Sequence, residues 1–561
     1  MLVKIIVGIL VLGILFVYAA RRDRRVQRLR LKEVLKQEWG LYTRDEYSDV
    51  VMDNIKYYYG QKKTENSLDD ITWNDLNMET VFQQMNHTRT SAGEEFLYKL
   101  LRTPEYSMGE LEKREAVIQS IQEHEELREE FELSLYDIGK TDRISVYRHL
   151  CGAKNLYVMK RWPHVLSALV LVVGIVLAFF SSPAVLFLLF FIMGANAWTY
   201  YREKAKILKD IALYEFILGT VRQCDQIGEI VLPECEAYFI RLKELAVKFR
   251  RFGRFHFLVS GGNTMSGSLF DSIFDYIRIL FHVDLIKIGT MAVEARKYQK
   301  ELLEIYELIG FLDSMLAVAS YRTMLGEYGI PVLHESHGHT DIRKMEIKGL
   351  YHPLLSHPVK NDIVTDRCML LTGSNASGKS TFIKAVAVSA LFAQTIHTVP
   401  ADSYEACFYR IYSSMALRDD IMSSESYFIV EIKSLKRIFA KAEETGVPVL
   451  CFIDEILRGT NTVERVAASS KLLEALSGEN AMCFAATHDI ELTYLLEKQY
   501  SNYHFSEHIE EKDITFDYRI KEGRADSRNA IRLLAMVGFR GELVEQSTKR
   551  VETFLNEGVW Q

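Results

Sequence analysis

The sequence predicts an α/β domain in the C-terminal part of the chain, after a mostly α-helical N-terminal core and three predicted transmembrane helices. Three observations support this fold class. Apolar residues recur at helical spacing before residue 330, short β-type runs alternate with helical runs after about residue 345, and three long apolar blocks stand apart from both patterns.

The composition excludes several classes of protein. The chain has 561 residues, of which 48% are hydrophobic and 25% charged, and about 150 residues per domain suggest three or four domains. With 9 Pro and 31 Gly it is neither collagen-like nor of low complexity, and a net charge of −7 excludes a strongly basic nucleic-acid coat. The seven cysteines are widely spaced without C-x-x-C, which predicts reduced thiols.

The first apolar block, Ile5–Ala20, is followed at once by a basic run, whereas a cleaved signal peptide carries its positive charge before the block. The positive-inside tendency then places the N-terminus outside. A cleaved signal or a buried helix is the alternative. The basic residues of this run are Arg21, Arg22, Arg24, Arg25, Arg28, Arg30 and Lys32.

The second and third blocks, Val165–Phe180 and Ala184–Tyr201, are separated by Ser181–Pro183, which is typical of a tight turn. Basic residues flank both outer ends, and Trp and Tyr residues lie where an aromatic belt would be. This predicts a hairpin with both ends cytoplasmic, hence a multi-pass protein of the cell membrane with everything after residue 201 in the cytoplasm. A re-entrant or peripheral hairpin is the alternative, because each block is slightly shorter than ~20 residues.

The changes in composition also predict domain boundaries. These are a transmembrane anchor at 1–20, the first part of the helical core at 21–160, the hairpin at 161–201, the second part of the core, or lever, at 202–330, the α/β domain at 331–540 and a C-terminal helix at 541–561. Within the α/β domain, three compact apolar runs are typical of buried parallel strands: Cys368–Leu371, Val447–Ile453 and Ala481–Ala486.

A glycine-rich motif follows the first of these strands. Residues Gly373–Ser380 fit G-x-x-x-x-G-K-[ST], and the helical run Phe382–Phe392 comes next, which is the strand–loop–helix context that a phosphate-binding loop needs. The glycines let backbone N–H groups face phosphate oxygens, Lys379 would reach the β- and γ-phosphates, and Ser380 would ligate Mg²⁺. The motif predicts ATP with Mg²⁺ as cofactor; a structural glycine turn is the alternative.

Two further strand ends carry polar side chains that complete such a site. Asp454 and Glu455 end the second strand, where an aspartate would hold Mg²⁺, largely through water, and a glutamate would orient and deprotonate the attacking water. His488 follows the third strand, from which it can contact the γ-phosphate. Taken alone, the Asp-Glu pair is typical of a solvated helix start, and a lone histidine of a structural residue.

Together these segments resemble the MutS family of ABC-type ATPases. Thr372–Thr381 is similar to the family's phosphate loop, Asp454–Thr462 to its DEIGRGTST-like motif and Ala486–Leu492 to its ATHYHEL-like segment. Ser426–Glu431 resembles the segment in which a serine reaches the nucleotide of the partner subunit.

The resemblance implies an ABC-type ATPase that works as a homodimer, with Glu455, Lys379 and His488 as catalytic residues. It implies Mg²⁺ ligation by Ser380 and Asp454, and completion of each site by Ser426 of the partner subunit. The implied nucleotide-binding residues are Gly373, Ser374, Asn375, Ala376, Ser377, Gly378, Lys379, Ser380 and Thr381.

The departures from the family pattern bear on function. We expect the family's N-terminal mismatch-reading and connector domains to be missing and a membrane anchor to stand in their place. The resemblance thus implies a membrane-anchored variant in which ATP hydrolysis moves the helical core, with DNA as one candidate ligand and mismatch-specific binding not implied. Two alternatives stay open: a membrane-tethered repair or recombination factor that binds non-mismatch DNA, and a nucleotide-gated membrane scaffold without DNA binding.

Two weaker patterns have several interpretations. The basic and aromatic stretch Lys248–Phe257 is compatible with a solvated helix end, with anionic lipid contact or with nucleic-acid binding. His334, His337 and His339 have a spacing that zinc can use, but they lie in a domain-joining loop without a nearby cysteine, which favours a plain loop.

Overall fold

The computed structural model describes residues 22–41 without 24, 47–141, 144–153, 159–180, 184–207, 211–249, 269–335, 343–374, 377–415, 427–510, 513–525, 531, 534 and 538–557. Several segments singled out above lie outside this part of the chain. They are Ile5–Ala20, the Ser181–Pro183 turn, most of Lys248–Phe257, His337, His339, Asn375, Ala376 and Ser426.

Helices dominate the N-terminal half and alternate with strands afterwards. Residues 25–38 are helical. The helices that follow are α1 (Asp49–Lys62), α2 (Asp70–Asp75), α3 (Met78–Met85), α4 (Ser91–Leu101), α5 (Met108–Glu123), α6 (Glu125–Ile138), α7 (Val146–Cys151), α8 (Arg161–Phe180), α9 (Ala184–Ile207), α10 (Ile211–Ile227), α11 (Glu236–Val247), α12 (Leu269–Phe281), α13 (Val283–Lys297), α14 (Gln299–Leu325), α15 (Lys379–Thr395), α16 (Tyr427–Ala442), α17 (Thr462–Gly478), α18 (Ile490–Leu495) and α19 (Gly541–Glu557).

Among the described residues, the strands all lie after residue 330, as the change of pattern predicts. They are β1 (Val332–His334), β2 (Met345–Leu350), β3 (Asn361–Thr365), β4 (Cys368–Thr372), β5 (Ser403–Cys407), β6 (Arg410–Ser414), β7 (Val449–Asp454), β8 (Ala481–Ala486), β9 (Tyr500–Glu510) and β10 (Asp513–Glu522). The chain divides into two compact units. The helical unit comprises residues 1–63, 82–100 and 113–324, and the α/β unit comprises residues 64–81, 101–112 and 325–561.

A buried carboxylate fastens α4 to α14 in the helical unit. Asp313 is fully buried and accepts hydrogen bonds from Arg89 N at 3.0 Å, Thr90 N at 2.8 Å and Thr90 Oγ1 at 2.6 Å, so it caps the start of α4. A Cβ at Gly93 would lie 2.1 Å from Asp313 Oδ2, so glycine alone permits this approach. Burial raises the pKa of the Asp313 carboxyl to about 6, and the hydrogen bonds from Thr90 and Arg89 oppose that rise.

The α/β unit is built on two sheets. The larger sheet has the strand order β10-β9-β4-β8-β7-β6, in which β9 through β6 are parallel and β10 is antiparallel. The smaller sheet has the order β1-β5-β2-β3. The three runs predicted as buried parallel strands are β4, β7 and β8, which lie side by side in the large sheet. Because parallel strands end at one edge, the segments that follow them meet there.

The outer edge of the large sheet is covered by a segment from far upstream. Strand β6 presents its Ser413 N–H to Thr72 Oγ1 at 3.1 Å, and its Ser413 Oγ and the Met415 N–H donate to Asp75 Oδ2 at 2.6 and 3.0 Å. Both acceptors belong to α2, which lies in the α/β unit although segments of the helical unit flank it in sequence. The open edge of β6 is thereby satisfied by side chains instead of by another strand.

The hairpin prediction is met in part. Among the described residues, one helix is long and apolar enough to cross a membrane, the window Arg161–Ala178 of α8, with a mean hydropathy of 1.8 and 17% of its residues buried. The sequence predicts three such helices, so the number is corrected to one candidate in the described part of the chain. Helix α9 is apolar at first, but charged residues occupy its last turns from Arg202 onward. Core helices of soluble proteins also meet these criteria of length and apolarity.

Polar contacts join the base of this hairpin to α12 and α13 in the helical unit. Asn196 of α9 donates to Leu280 O at 2.9 Å, and its own carbonyl lies 2.9 Å from His282 Nε2. One turn further, Tyr200 OH donates to Asp284 Oδ2 at 2.7 Å. His282 is buried with a backbone φ of 54°, a left-handed conformation that costs a non-glycine residue free energy. The hairpin is therefore attached to α13 by specific, well-packed contacts.

Candidate functional site

The loop between β4 and α15 depends on its two glycines. Gly373 has φ of 142° and Gly378 has φ of 102°, a backbone region in which other residues are strained. A Cβ at Gly373 would also lie 2.9 Å from Phe505 O and 2.9 Å from Ser377 Oγ. The loop therefore folds tightly against β9 and turns directly into the first residue of α15, Lys379. This places the positive end of the helix dipole at the loop.

Lys379 is held across the mouth of this loop. Its Nζ donates to Gly373 O at 2.7 Å and to Ser374 O at 2.8 Å, and the residue is only 4% exposed. Burial lowers the pKa of the ammonium group, while the carboxylates of Asp454, Glu455 and Glu507 oppose that shift. The loop thus holds a cation beside its backbone carbonyls, with three carboxylates nearby.

A hydroxyl and a carboxylate meet beside the lysine. Ser380 Oγ donates to Asp454 Oδ2 at 2.5 Å, which joins the first turn of α15 to the end of β7. A hydroxyl and a carboxylate oxygen are ligands that Mg²⁺ prefers, and Mg²⁺ usually keeps several waters and takes few protein ligands. The described residues contain no group of three or more His, Cys, Asp or Glu side chains that could hold a metal. The donor pair therefore fits Mg²⁺ better than a metal that needs a full protein cage.

Glu455 and His488 meet at the ends of β7 and β8. His488 Nε2 lies 2.9 Å from Glu455 Oε1, and Arg458 pairs with the other carboxylate oxygen at 2.8 Å. The backbone of Glu455 has φ of 56°, and its N–H donates to Ala486 O at 3.0 Å. A strained non-glycine residue of this kind persists only where its surroundings hold it, which is common at functional sites. The bend turns the Glu455 side chain toward His488.

Sequence reasoning did not assign a role to Glu431, although it lies in the segment Ser426–Glu431. Glu431 is 4% exposed, lies in the second turn of α16 and accepts a hydrogen bond from the N–H of Leu457, whose φ is 56°. Burial raises the pKa of its carboxyl, and hydrogen bonds from Leu457 and Arg458 oppose the rise. Glu431 therefore supports the loop that follows Glu455. The signal in the sequence was an acid on an otherwise apolar helix face.

Two other contacts at this edge were also missed. Ser374 Oγ donates to Glu507 Oε2 of β9, so the phosphate-type loop is bonded to a carboxylate 133 positions away. Arg465 of α17 makes two hydrogen bonds to Asp489, at 2.8 and 2.6 Å, directly after His488. Arg–carboxylate pairs of this bidentate form are geometrically specific. No local pattern could reveal either partnership, since the sheet order alone brings these segments together.

A buried histidine upstream of the loop lies in the same unit. His352 is buried, and burial lowers its pKa to about 4, with the nearby Lys384 ammonium of α15 adding to the effect. Burial also lowers the pKa of Lys384, against the carboxylates of Asp75 and Asp454. His352 is thus neutral in the folded protein at physiological pH.

Comparisons with known proteins find similarity in the C-terminal part of the chain. Residues 369–555 match the family model described as MutS domain V. The DNA mismatch repair protein MutS of Thermotoga petrophila is 31% identical over 269 residues, which cover 46% of this chain and 32% of the relative. Those of Thermotoga neapolitana and Thermus thermophilus are 34% identical over 243 residues and 30% over 261 residues, covering 42% and 45% of this chain and 29% and 30% of the relatives. The chain spans about a third of the length of these relatives.

The C-terminal unit is therefore an α/β domain with a glycine-loop site at the carboxyl edge of a parallel sheet. Residues 369–555 of this unit are similar to domain V of the MutS family.

Proposed function

We propose that this chain is a membrane-anchored, MutS-like ATPase that binds and hydrolyses ATP and couples hydrolysis to movement of its helical core. The observation that carries the proposal is the convergence of Lys379, the Ser380–Asp454 pair and the Glu455–His488 pair at one edge of the sheet. Three separate strand ends supply these groups, which is the arrangement that phosphoryl transfer from a nucleotide needs.

Each side chain has a distinct task in this proposal. Lys379, released from the loop carbonyls, neutralises the β- and γ-phosphates, and the glycine-loop N–H groups bind the phosphate oxygens. Glu455 accepts the proton of the attacking water, while His488 and Arg458 orient its carboxylate. Ser380 and Asp454 would hold Mg²⁺, which supplies positive charge that polarises the phosphate when bound.

The homodimer and its shared site belong to the proposal as well. Ser426 of the partner subunit would complete each nucleotide site. In support, Ser426 immediately precedes α16, and Glu431 of this helix accepts a hydrogen bond from the N–H of Leu457 in the loop after Glu455. Ser426→Ala protein should regain part of its activity when it is mixed with Lys379→Ala protein, because a hybrid dimer has one intact site. Hybrid dimers without any regained activity would disprove the shared site.

Membrane attachment is proposed from the hairpin surface. Its side chains are apolar and exposed, for example Phe187 at 83%, Phe190 at 80% and Phe191 at 74%. An apolar surface of this extent is unusual on a soluble monomer, because removing such a patch from water is favourable in free energy. Since Asn196 and Tyr200 bond the hairpin to α12 and α13, the anchor would be coupled to the helical core. The α/β unit would then lie in the cytoplasm, where ATP is found.

Paired substitutions test the catalytic assignment. Lys379→Ala should abolish ATP binding and hydrolysis, whereas Glu455→Ala should keep ATP binding and lower hydrolysis by roughly 10²- to 10⁴-fold. The matched controls are Lys471→Ala and Glu464→Ala on the exposed face of α17, which should leave both measurements unchanged. Equal loss of nucleotide affinity in the two site variants would contradict the separate roles, and undiminished hydrolysis in Lys379→Ala would contradict the proposal itself.

The ligand of the helical core is a separate question with its own measurement. Binding of the detergent-solubilised chain to plain, mismatched and branched DNA should be compared at two salt concentrations. A contact made mainly with phosphates must weaken steeply with salt. Salt-sensitive binding to branched DNA would favour the repair or recombination role. No binding to any of the three DNAs would favour the nucleotide-gated scaffold.

A further inference from the structure

An open groove runs along the first hairpin helix in the helical unit. It is lined by Arg161, Trp162, Val165, Leu166 and Leu169 of α8 and by Ile286 of α13, and its volume is about 710 Å³. That volume lies within the range of roughly 300–1,000 Å³ that small-molecule sites occupy. No step proposed above uses this groove.

The floor of the groove is apolar and elongated. Val165, Leu166 and Leu169 are about half exposed, so protein atoms leave this floor uncovered. From Trp162 to Leu169 the helix rises by about 10 Å, which makes a strip and not a round cavity. The strip is continuous with the exposed apolar surface of α8, since Val170 and Val173 follow directly. An extended hydrocarbon chain matches both the shape and the chemistry of this floor.

One end of the groove is positively charged. Arg161 is exposed, and within the described residues no carboxylate lies within ion-pair distance of its guanidinium. Its aliphatic stem is packed against α13, because a Cβ at Gly289 would lie 3.1 Å from Arg161 Cγ. Trp162, 66% exposed, stands beside it at the same end. A guanidinium binds phosphate oxygens through two parallel N–H bonds, and tryptophan favours the boundary between headgroups and acyl chains.

We propose that this groove binds one anionic phospholipid, with an acyl chain on the apolar strip and the headgroup phosphate on Arg161. The proposal rests on the proposed membrane attachment of the hairpin and goes beyond it, because it assigns a particular lipid class to a particular site. Free phosphate would leave the apolar strip uncovered, and a zwitterionic phospholipid would bring its own cation beside Arg161. An anionic phospholipid satisfies both ends at once.

Trp162 supplies the readout. The purified chain is placed in mixed micelles and in phosphatidylcholine vesicles that contain a small fraction of phosphatidylglycerol, with brominated acyl chains on one lipid or the other. The quenching that is lost in Trp162→Phe reports the lipid in the groove. Brominated phosphatidylglycerol should quench Trp162 more strongly than brominated phosphatidylcholine at equal fraction, and Arg161→Gln should lower this preference by roughly tenfold. Free inorganic phosphate should not compete.

The control is Lys160→Gln, which removes an exposed charge of the same sign one residue away. It should retain most of the preference, whereas Ile286→Trp should reduce quenching by filling the strip. Equal quenching by both lipids, or equal losses in Lys160→Gln and Arg161→Gln, would overturn the proposal. Vesicle flotation separates this result from failure of the anchor. A chain that floats without a lipid preference lacks the site, and one that stays soluble yet keeps the preference in micelles lacks the anchor.

Discussion

Strand β8 and helix α8 are both apolar, but they differ completely in what surrounds them. Every residue of β8 is buried, since the strand lies between β4 and β7 and helices cover the sheet. In the Arg161–Ala178 window of α8, only 17% of the residues are buried. The two segments therefore satisfy the same hydrophobic requirement by different means, one through protein packing and the other, as we propose, through lipid.

The comparison shows what apolar composition can and cannot predict. Hydrophobicity predicts that a segment leaves water, because exposed apolar surface is unfavourable in any sequence. It does not say which phase receives the segment. That distinction depends on whether enough other elements pack on the segment. Four pairs of substitutions test how segments are covered, from the largest expected effect to the smallest.

Leucine truncation at a buried and an exposed position should separate the two regions most strongly. Leu473→Ala removes a side chain with 0% exposure from the core beneath β8, and should lower the free energy of unfolding by about 2–5 kcal/mol. Leu177→Ala, at 48% exposure on α8, should change it by less than about 1 kcal/mol in detergent. Denaturant unfolding of both variants provides the measurement, and similar losses in the two would mean that α8 is packed like a protein core.

A charge introduced in the hairpin tests whether lipid covers the exposed apolar surface of α8. Val173→Arg, near the middle of α8, should disfavour membrane insertion by about 2.5–3.5 kcal/mol and lower the fraction that floats with vesicles. Val463→Arg is the matched control, because Val463 is 78% exposed on α17 of the α/β unit. If Val173→Arg does not change flotation, the exposed apolar surface is covered by a protein partner and not by lipid.

Protonation tests how well the α/β unit excludes water from His352. Its folded pKa of about 4, lowered first by burial and then by Lys384, is below the unfolded value of 6.5. Its contribution to stability is therefore complete above pH 6.5 and is lost as pH falls toward 4, by about 2 kcal/mol between pH 8 and pH 5. In melting-temperature measurements over this range, His352→Gln should flatten the profile. His334→Gln, exposed on β1, should not.

Removing the Asp75 carboxylate that covers the edge of the large sheet should have the smallest effect on the free energy of unfolding. Asp75→Ala leaves the Ser413 hydroxyl of β6 and the N–H of Met415, the residue after this strand, without their acceptor, and should cost about 1–2 kcal/mol. The exposed Asp53→Ala on α1 is the control and should be neutral. An exposed strand edge can also pair with another chain, so light scattering of the Asp75→Ala protein should rise on gentle heating. An unchanged unfolding midpoint would show that water replaces the Asp75 carboxylate at this edge without loss.

Much of the candidate site could be predicted from the sequence, because each motif is local. The residues Gly373–Ser380, Asp454–Glu455 and His488 each follow a short apolar strand, and parallel strands place such followers at one edge. Other parts of the site are not local. The bond from Ser374 to Glu507 and the support of Leu457 by Glu431 depend on the strand order and on the packing of α16, neither of which has a signature in neighbouring residues.

The sequence by itself determined the division into a helical part and an α/β part, the three buried parallel strands and the order of the site motifs, because hydrophobic period and glycine spacing act over a few residues. Only the tertiary structure decided that α2 covers the edge of β6, that Asp313 caps α4 from 223 positions away and that one hairpin helix, not three segments, is a candidate span among the described residues. The physical reason is the same in each case. A contact between distant segments is stabilised by burial and hydrogen bonds that exist only after the chain has folded, so no short stretch of residues encodes it.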